Sequence, residues 1–345
     1  MPSAAATPPR PPIPERETPM LDLEFTTRDM ARTRFAISPL WEVVAAVRVL
    51  KRPAEHPLHL PWSGPVRERL ATARLDWGLL ADLVPAPPRT IPVFVAPPPT
   101  TSVPDLALEL DGLRATAPGL VRAALHGPRA PSSDRVAALQ ADPVRELAAL
   151  ADTVEAFWEL ALAPYWPRLR ALLEGDVLHR ARLLARGGAQ ELLNDLASQV
   201  SWEEGTLRVR HWYARGGRRL GGQGLLLVPS VFVWPRVFSV TGPGWQPTLR
   251  YPPRGVATLW EHRRREPSRA LAAVLGRTRA LLLAELDGPA STAELARRTG
   301  ITAGGVSQHL GALREAGLLD AHRAGRYVLY ARTEAAEVLL AAASS

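Results

Sequence analysis

The stretch "STAELARRTGITAGGVSQHLGALREAGLLDAHRAGRYVLY", residues 291–330, decides the fold of its part of the chain. Ser291 followed three residues later by Glu294 is the pattern of a capping box, which marks the start of a helix. Gly300 is placed to end that helix, and after a short turn the apolar residues recur at the helical spacing of four and three: Val306, Leu310 and Leu313. Two helices joined by a tight turn containing glycine predict a helix-turn-helix.

A β-hairpin is predicted after the second helix. Gly317 stands where a helix commonly ends in a left-handed residue. Residues 318–322 and 327–332 have the composition of two strands, and the turn "RAGR" at 323–326 joins them. Arginines at the tip of such a hairpin are well placed to contact a phosphate backbone. Helix, helix and hairpin together predict a winged helix, whose second helix enters the major groove of DNA.

The second helix carries polar and small residues opposite its apolar stripe. The first turn and the exposed side of a recognition helix meet the edges of base pairs. His309 has two interpretations, a contact with DNA or local packing, and the first is favoured by the pattern around it. We therefore predict a DNA-binding surface composed of Thr302, Ala303, Gly304, Ser307, Gln308, His309, Arg314, Arg323 and Arg326.

These residues resemble the ArsR family of bacterial winged-helix repressors. The family pattern is found here as Ser307-Gln308-His309-Leu310, as Leu313-Arg314-Glu315-Ala316-Gly317-Leu318, and then as Gly325-Arg326 and Tyr330. The resemblance covers roughly residues 275–332. It implies a repressor that binds a pseudo-palindromic operator in double-stranded DNA as a homodimer. Upstream, residues 33–42, 225–235 and 251–255 are similar to a larger N-terminal domain that is fused to such winged helices in actinobacterial regulators.

Two departures from the ArsR pattern bear on function. Metal sensors of the family use cysteines in the helix before the turn, where this chain has Thr292-Ala293-Glu294-Leu295-Ala296, and the chain contains no cysteine. We therefore expect no thiolate metal sensing, no metal site and no cofactor. The recognition helix opens with Ala303-Gly304-Gly305, where family members often carry polar side chains, and glycine weakens both the helix and direct base readout.

Composition bounds the rest of the molecule. A length of 345 residues with 46% hydrophobic residues favours two domains with packed cores. The absence of cysteine excludes disulfides and cysteine nucleophiles and is compatible with the cytoplasm. No apolar run reaches the roughly 20 residues that span a bilayer, so no membrane association is expected. The proline-rich residues 1–19 are predicted to be a disordered tail.

Residues 20–265 are predicted to form a mainly helical N-terminal domain that binds an effector or mediates dimerisation. Prolines at 85–99 predict an extended linker or an edge strand. Residues 205–260 predict a small antiparallel β-segment and hold eight arginines without any acidic residue, either as a surface for anions or DNA or as solvated side chains. Apolar residues at helical spacing predict helices at 39–51, 66–83, 103–115, 119–125 and, with breaks, 134–196.

Residues 266–345 are predicted to form the winged helix-turn-helix domain, with further helices at 267–287 and 334–343. A dimer contact through these helices would use the apolar residues Leu271, Leu275, Leu282, Leu286, Val338 and Leu339. For His56 and His59 an ordinary loop is favoured over half of a metal site, because no third ligand is evident. His179 is expected to be solvated or paired, and the ten tryptophans to pack in the core.

The predicted fold class is α+β, mainly helical. No phosphate-binding loop, dinucleotide fingerprint, nucleophile elbow or zincin motif is present, so we do not expect an enzyme. The sequence predicts a cytoplasmic, sequence-specific transcriptional regulator, namely a repressor of the ArsR type. Neither the existence nor the identity of a small-molecule effector follows from the sequence. The alternative is a small-molecule receptor or an enzyme whose winged helix mediates protein contacts. The glycines of the first turn favour this alternative, and Arg323 and Arg326 oppose it.

Overall fold

The computed structural model describes residues 19–86, 89–102, 105–211, 214–260, 269–286, 290–324 and 327–343. These described residues are mainly helical with three small sheets, so the predicted α+β class is confirmed. The predicted tail, apart from Pro19, lies outside the described residues. Within those ranges, no helix has the length and apolar character needed to cross a bilayer.

Nine helices are described in the N-terminal part of the chain, within the ranges given above. They are α1 Thr27–Arg32, α2 Pro39–Lys51, α3 Leu60–Ala73, α4 Gly78–Leu83, α5 Leu106–Arg114, α6 Pro118–Ala124, α7 Asp134–Ala141, α8 Pro143–Ala161 and α9 Trp166–Asn194. Helix α2 has its predicted bounds because the Ser38 hydroxyl accepts the Trp41 N–H at 3.0 Å and Pro39 occupies the first helical position. The helix predicted at 66–83 is two helices, since Arg74 ends α3 in the left-handed region.

Eight strands accompany these helices and form two four-stranded sheets. They are β1 Met20–Glu24, β2 Arg34–Phe35, β3 Val200–Glu203, β4 Thr206–Arg210, β5 Gly216–Arg219, β6 Leu226–Pro229, β7 Phe238–Val240 and β8 Thr248–Tyr251. The sheet orders are β3-β4-β1-β5 and β2-β6-β8-β7. Strand β1 runs parallel to β5, and β6 runs parallel to both β2 and β8. The predicted antiparallel pairing was therefore wrong in part, since β6 and β8 within 205–260 are parallel. The β-segment is also larger than predicted, because β1 and β2 join it from the other end of the domain.

The largest hydrophobic core surrounds α2. Val43, Val44 and Val47 are fully buried, and α3, α5 and α8 pack around the helix. A second core lies between the two sheets and the end of α9. The prediction of an extended linker or edge strand at 85–99 was wrong at Val93–Val95, which form a 3-10 turn. Burial of Phe94 and Val95 in the first core stabilises this turn despite the surrounding prolines.

A buried polar cluster joins α9 to β8. Asp176 accepts the Tyr251 hydroxyl at 2.8 Å and the Arg254 backbone N–H at 2.9 Å. Arg180, one turn further along α9, pairs with Asp176 and with Asp195. His179 contacts Asp195 at 3.4 Å, so of the two predicted outcomes, solvated or paired, the structure shows a paired side chain. Burial raises the pKa of Tyr251 far above its usual value, which keeps its proton in the bond to Asp176.

The C-terminal elements form a separate, third core. They are α10 Arg269–Leu275, α11 Arg277–Glu285, β9 Ala290–Ser291, α12 Thr292–Thr299, α13 Ala303–Glu315, β10 Leu319–Ala324, β11 Tyr327–Arg332 and α14 Glu334–Ala342. The helix predicted at 267–287 is interrupted at Gly276, whose φ of 83° lies outside the helical region. Strands β10, β11 and β9 make an antiparallel sheet in that order.

The proposed dimer stripe needs correction. Leu271, Leu282 and Leu286 are buried in the core of their own domain, so they are not available for a contact with a second copy. The helical spacing of these leucines suggested an interface between two copies, but it arises from packing within one chain. The exposed apolar side chains of the same helices are Val274 and Val338, which are 79% and 64% exposed.

Candidate nucleic-acid interface

Helix α12 and the turn after it are fixed by local hydrogen bonds. The Ser291 hydroxyl accepts the Glu294 N–H at 3.2 Å and caps the helix, which confirms the predicted start. Gly300 ends the helix with a φ of 73°, and its N–H donates to the carbonyl of Ala296 at 3.0 Å. Leu295 is fully buried and anchors α12 to the core below. The turn therefore holds α13 at a defined angle to α12.

Helix α13 begins at a side-chain cap. The Thr302 hydroxyl accepts the Gly305 N–H at 3.3 Å, and the Thr302 carbonyl accepts the Val306 N–H at 2.9 Å. Thr302 was predicted to contact DNA, and in the structure its hydroxyl also serves the helix start. Thr302 is exposed, so capping the helix and contacting DNA are compatible roles.

The other end of α13 is a complete Schellman motif. The Leu318 N–H donates to the Leu313 carbonyl at 2.9 Å, and the Gly317 N–H donates to the Arg314 carbonyl at 2.9 Å. Gly317 has the φ of 71° that this motif requires and that glycine adopts without steric cost. Leu313 and Leu318 belong to the same core, so the end of α13 is fixed as firmly as its start.

The predicted apolar stripe of α13 is confirmed. Val306, Leu310 and Leu313 are at most 1% exposed. Ala303, Gly304, Ser307, Gln308 and Arg314 lie outside this stripe and are open to solvent, whereas His309 is half-buried. Six of the predicted site residues, Thr302 included, thus lie on the exposed side of α13, which we call its exposed edge. Whether they contact DNA stays a prediction.

The first turn of α13 consists of Ala303, Gly304 and Gly305, so its surface is mostly backbone with little side chain. A Cβ added to Gly304 would meet no other atom within 4 Å, so this position is open. A Cβ on Gly305 would lie 3.2 Å from the Thr302 hydroxyl and 3.3 Å from Ile301, so Gly305 packs against the turn. The start of α13 can therefore approach another molecule closely, because no side chain of Gly304 stands in the way.

The predicted hairpin is confirmed, and its sheet has one strand more than predicted. Strand β10 pairs with β11 from Leu319 opposite Arg332 to Ala324 opposite Tyr327, and β9 pairs with β11 at Leu329 and Tyr330. Arg323 lies in β10 near the tip, but its side chain is outside the described residues. Arg326 also lies outside them. A contact of Arg323 and Arg326 with the phosphate backbone therefore stays a prediction.

Sequence reasoning missed Arg297 as a candidate contact. It is exposed in the last turn of α12, close in sequence to the turn that leads into α13. Its neighbour Arg298 pairs with Glu294 and donates to the Glu285 carbonyl at 3.3 Å, so Arg298 serves the fold. The sequence signal that could have identified Arg297 is its place in the helix that begins after Ser291. It lies about one turn after Glu294, on the side of the helix away from buried Leu295.

The arginine-rich segment at 205–260 is used mainly inside the domain. Arg218 donates to the carbonyls of Thr241 and Gly242, and Arg219 pairs with Glu24 at 2.9 Å. Arg250 is 5% exposed and stacks over the ring of Trp41 at 3.7 Å. A role of this segment as a DNA surface is weakened, since Arg218 already has carbonyl partners.

The two histidines of the "HPLH" run serve packing. His59 is fully buried against Phe232, and its Nδ1 accepts the Trp260 indole N–H at 3.0 Å. Burial lowers the pKa of His56 to about 4 and that of His59 to about 3, and the positive charge of Arg48 adds to both shifts. Among the described residues, no group of three or more histidine, aspartate or glutamate side chains is placed to hold a metal ion.

Two parts of the chain match known family models. Residues 275–321 match a family model described as a helix-turn-helix domain, and these residues run from α10 into β10. Residues 110–257 match a model described as a family of unknown function (DUF5937). Neither a curated protein nor a solved structure matched the chain. The chain therefore carries a C-terminal helix-turn-helix domain after a segment that matches the model of a family of unknown function.

Proposed function

We propose that this protein is a sequence-specific transcriptional regulator that binds double-stranded DNA through α13. The observation that carries the proposal is the exposed edge of α13, with Ser307, Gln308 and Arg314, on a domain that matches the helix-turn-helix model. From Ala303 to Arg314 this edge extends over about 16 Å, at 1.5 Å per residue. The major groove is about 12 Å wide and admits a helix, so this edge can lie across several base pairs.

The side chains on this edge suit base readout. Glutamine pairs with adenine through two hydrogen bonds, and serine reads either a donor or an acceptor. Gln308 and Ser307 lie about one turn from the helix start, where recognition helices contact base edges. Arg314 lies nearly two turns further on and is suited to phosphate. We assign Gln308 the leading role in sequence preference.

The ArsR resemblance carries the proposal further. It supports a repressor that binds a pseudo-palindromic operator as a homodimer, without thiolate metal sensing because the chain has no cysteine. A dimer contact through α10 and α14 would use Val274 and Val338, the exposed apolar residues of these helices. We place the border between the two domains near residue 265, with the DNA-binding domain at 266–345 and an effector or dimerisation domain at 20–265, acting in the cytoplasm.

A second function is favoured by one observation. The exposed first turn of α13 presents only Ala303 and Gly304, so this turn can offer no side-chain hydrogen bond to a base. A receptor or an enzyme whose winged helix binds a protein instead would need no base readout. Such a protein would leave the DNA of its own promoter unbound.

An electrophoretic mobility shift with the protein's own promoter region separates the two functions. A regulator binds a promoter fragment in the presence of excess unrelated DNA, whereas a protein-binding winged helix does not. The variant Gln308→Ala and the control Glu334→Gln, an exposed change on α14, should be compared. We expect only Gln308→Ala to reduce the preference for the promoter over unrelated DNA. Equal affinity of the wild type for both DNAs would contradict the proposal.

A further inference from the structure

We call the antiparallel sheet of β10, β11 and β9 the wing sheet, and its hairpin β10–β11 the wing. The wing sheet has two faces, and the strand register assigns each residue of the hairpin to one of them. Residues directly opposite one another across β10 and β11 point to the same side, and neighbours along a strand alternate. Leu319 and Tyr330 belong to the core of the winged helix, so their side is the inner face. Leu329 and Ala331 alternate with them and lie on the outer face. In an isolated domain this outer face would be open to solvent.

Two residues of this outer face, both in β11, are nevertheless buried. Leu329 is 5% exposed and Ala331 is 4% exposed, although neither belongs to the core of the winged helix. Strands β10 and β11 lie in contact with elements of the N-terminal part of the chain: α8, α9 and the 3-10 turn Ala163–Tyr165 between these helices. We call this turn the corner. The corner and the helix ends beside it therefore contact the wing sheet and contribute to its burial.

The corner is held rigidly from its other side by α3. The Trp62 indole N–H donates to the Ala161 carbonyl at 3.0 Å. Arg69 donates to the Leu160 carbonyl at 3.0 Å and to the Tyr165 hydroxyl at 3.2 Å. Tyr165 itself is 7% exposed and meets the ring of Trp260 edge-on at 5.6 Å. The strands of the wing thus contact a turn that is itself hydrogen-bonded to α3 and packed against Trp260.

This contact leaves the reading edge of α13 free. Ser307, Gln308 and Arg314 remain exposed while Leu329 and Ala331 are buried. Val328, on the inner face close to the tip, is also 42% exposed. The burial at Leu329 and Ala331 is therefore compatible with an open surface on α13.

We propose that the outer face of the wing sheet is an intramolecular interface with the corner, and that the docked arrangement is the one that binds DNA. The N-terminal domain then sets the position of the wing, and any ligand that moves α3 or the corner changes DNA affinity. The inference rests on the proposed DNA-binding function. It goes beyond that function by assigning the surface through which the N-terminal domain acts.

A cysteine-free chain makes the interface testable by cross-linking. Glu159→Cys lies at the exposed end of α8, and Asp320→Cys lies on the exposed part of the outer face. The control pair joins Glu159→Cys to Val338→Cys, on the side of α14 away from the core residues Ala336 and Leu340. A short bis-maleimide should cross-link the first pair within one chain and leave the control pair unlinked. Equal yields for the two pairs would overturn the interface.

DNA affinity of the cross-linked protein tests the second half of the proposal. We expect it to equal that of the uncross-linked protein within about twofold, because the docked arrangement is the binding one. A loss of more than about tenfold would show that the wing must leave the corner. If the wild type binds no DNA, the proposed function fails while the cross-linking yield still decides the interface.

A substitution that separates the wing from the corner gives an independent readout. Ala331→Arg places a charge at a buried position of the outer face, and the control Ala138→Arg adds the same charge at an exposed position of α7. A misplaced wing would no longer reach the phosphates, and removal of one phosphate interaction should weaken binding about fivefold at about 0.15 M salt, from a slope of about 0.9 for each phosphate. We expect this weakening for Ala331→Arg and not for Ala138→Arg. Unchanged affinity of a folded Ala331→Arg protein would contradict the proposal.

Discussion

Replacing Glu42 by glutamine is expected to stabilise the protein in alkaline solution. Glu42 lies in the middle of the core around α2 and is 1% exposed. One carboxyl oxygen accepts the Val231 N–H at 3.0 Å. Burial raises the pKa of this carboxyl from 4.5 to about 7. Glutamine keeps the acceptor for Val231 and cannot ionise, so it imitates the protonated acid at every pH.

The sign and size of the effect follow from this shift. Because the folded protein holds the Glu42 proton more tightly than the unfolded chain, stability is lost as the pH rises from about 4.5 through about 7. A shift from 4.5 to about 7 corresponds to about 3 kcal/mol, at about 1.4 kcal/mol for each pKa unit. The stability gained by Glu42→Gln should be close to zero at about pH 4 and approach this value above about pH 8.

The gain is measured as the difference between variant and wild type in urea unfolding, at several pH values between about 4 and about 9. The difference isolates Glu42 from other buried groups, such as Glu109, whose pKa burial also raises to about 7, and His56 and His59, whose shifts oppose it. Glu68→Gln, an exposed change on α3, is the control and should show no such trend. A difference for Glu42→Gln that does not grow with pH would refute the reasoning.

Three further outcomes are expected. Gln308→Ala should reduce discrimination at one or two base pairs by about 1–3 kcal/mol, measured by binding to operators with single changes, and an unaltered sequence preference would remove Gln308 from the readout. Leu310→Ala, at a fully buried position, should cost about 2–5 kcal/mol in urea unfolding of the full chain, and a loss below about 1 kcal/mol would contradict the assigned core. Stoichiometric cadmium should leave DNA affinity unchanged in a fluorescence titration, because no thiolate exists; release of DNA would redirect attention to the histidines.

Local signals in the sequence predicted the C-terminal domain well. The caps at Ser291 and Gly300, the stripe of α13 and the hairpin all arise from residues close to one another in the chain. The same holds for α2, which begins at a serine cap followed by proline. Such elements are decided by neighbours within a few positions, and their pattern is visible without the rest of the protein.

Features that depend on distant parts of the chain were not predictable. Strand β1 pairs with β4 and β5, from the other end of the domain, and no local pattern shows which strands meet. Leu271, Leu282 and Leu286 have a helical period that fits a dimer surface and a monomer core equally well, and the core is what the structure shows. The burial of Leu329 and Ala331 likewise depends on contacts outside their own domain.

The C-terminal domain is nearly neutral, which bears on how its DNA affinity depends on salt. Residues 266–345 contain nine arginines and eight acidic residues, so a near-neutral domain must rely on local placement of its arginines. Each phosphate contact contributes about 0.9 to the dependence of affinity on salt. We therefore expect a shallow salt dependence together with a clear sequence preference.

Footprinting of the full-length protein on fragments of its own genome tests the DNA-binding claim most directly. We expect protection of a discrete site with two related half-sites, whose centres lie about one helical turn, or roughly 10 base pairs, apart. A protected site without any dyad, bound by a single copy, would contradict the dimeric regulator. Absence of a protected site at concentrations that saturate unrelated DNA would contradict sequence-specific binding itself.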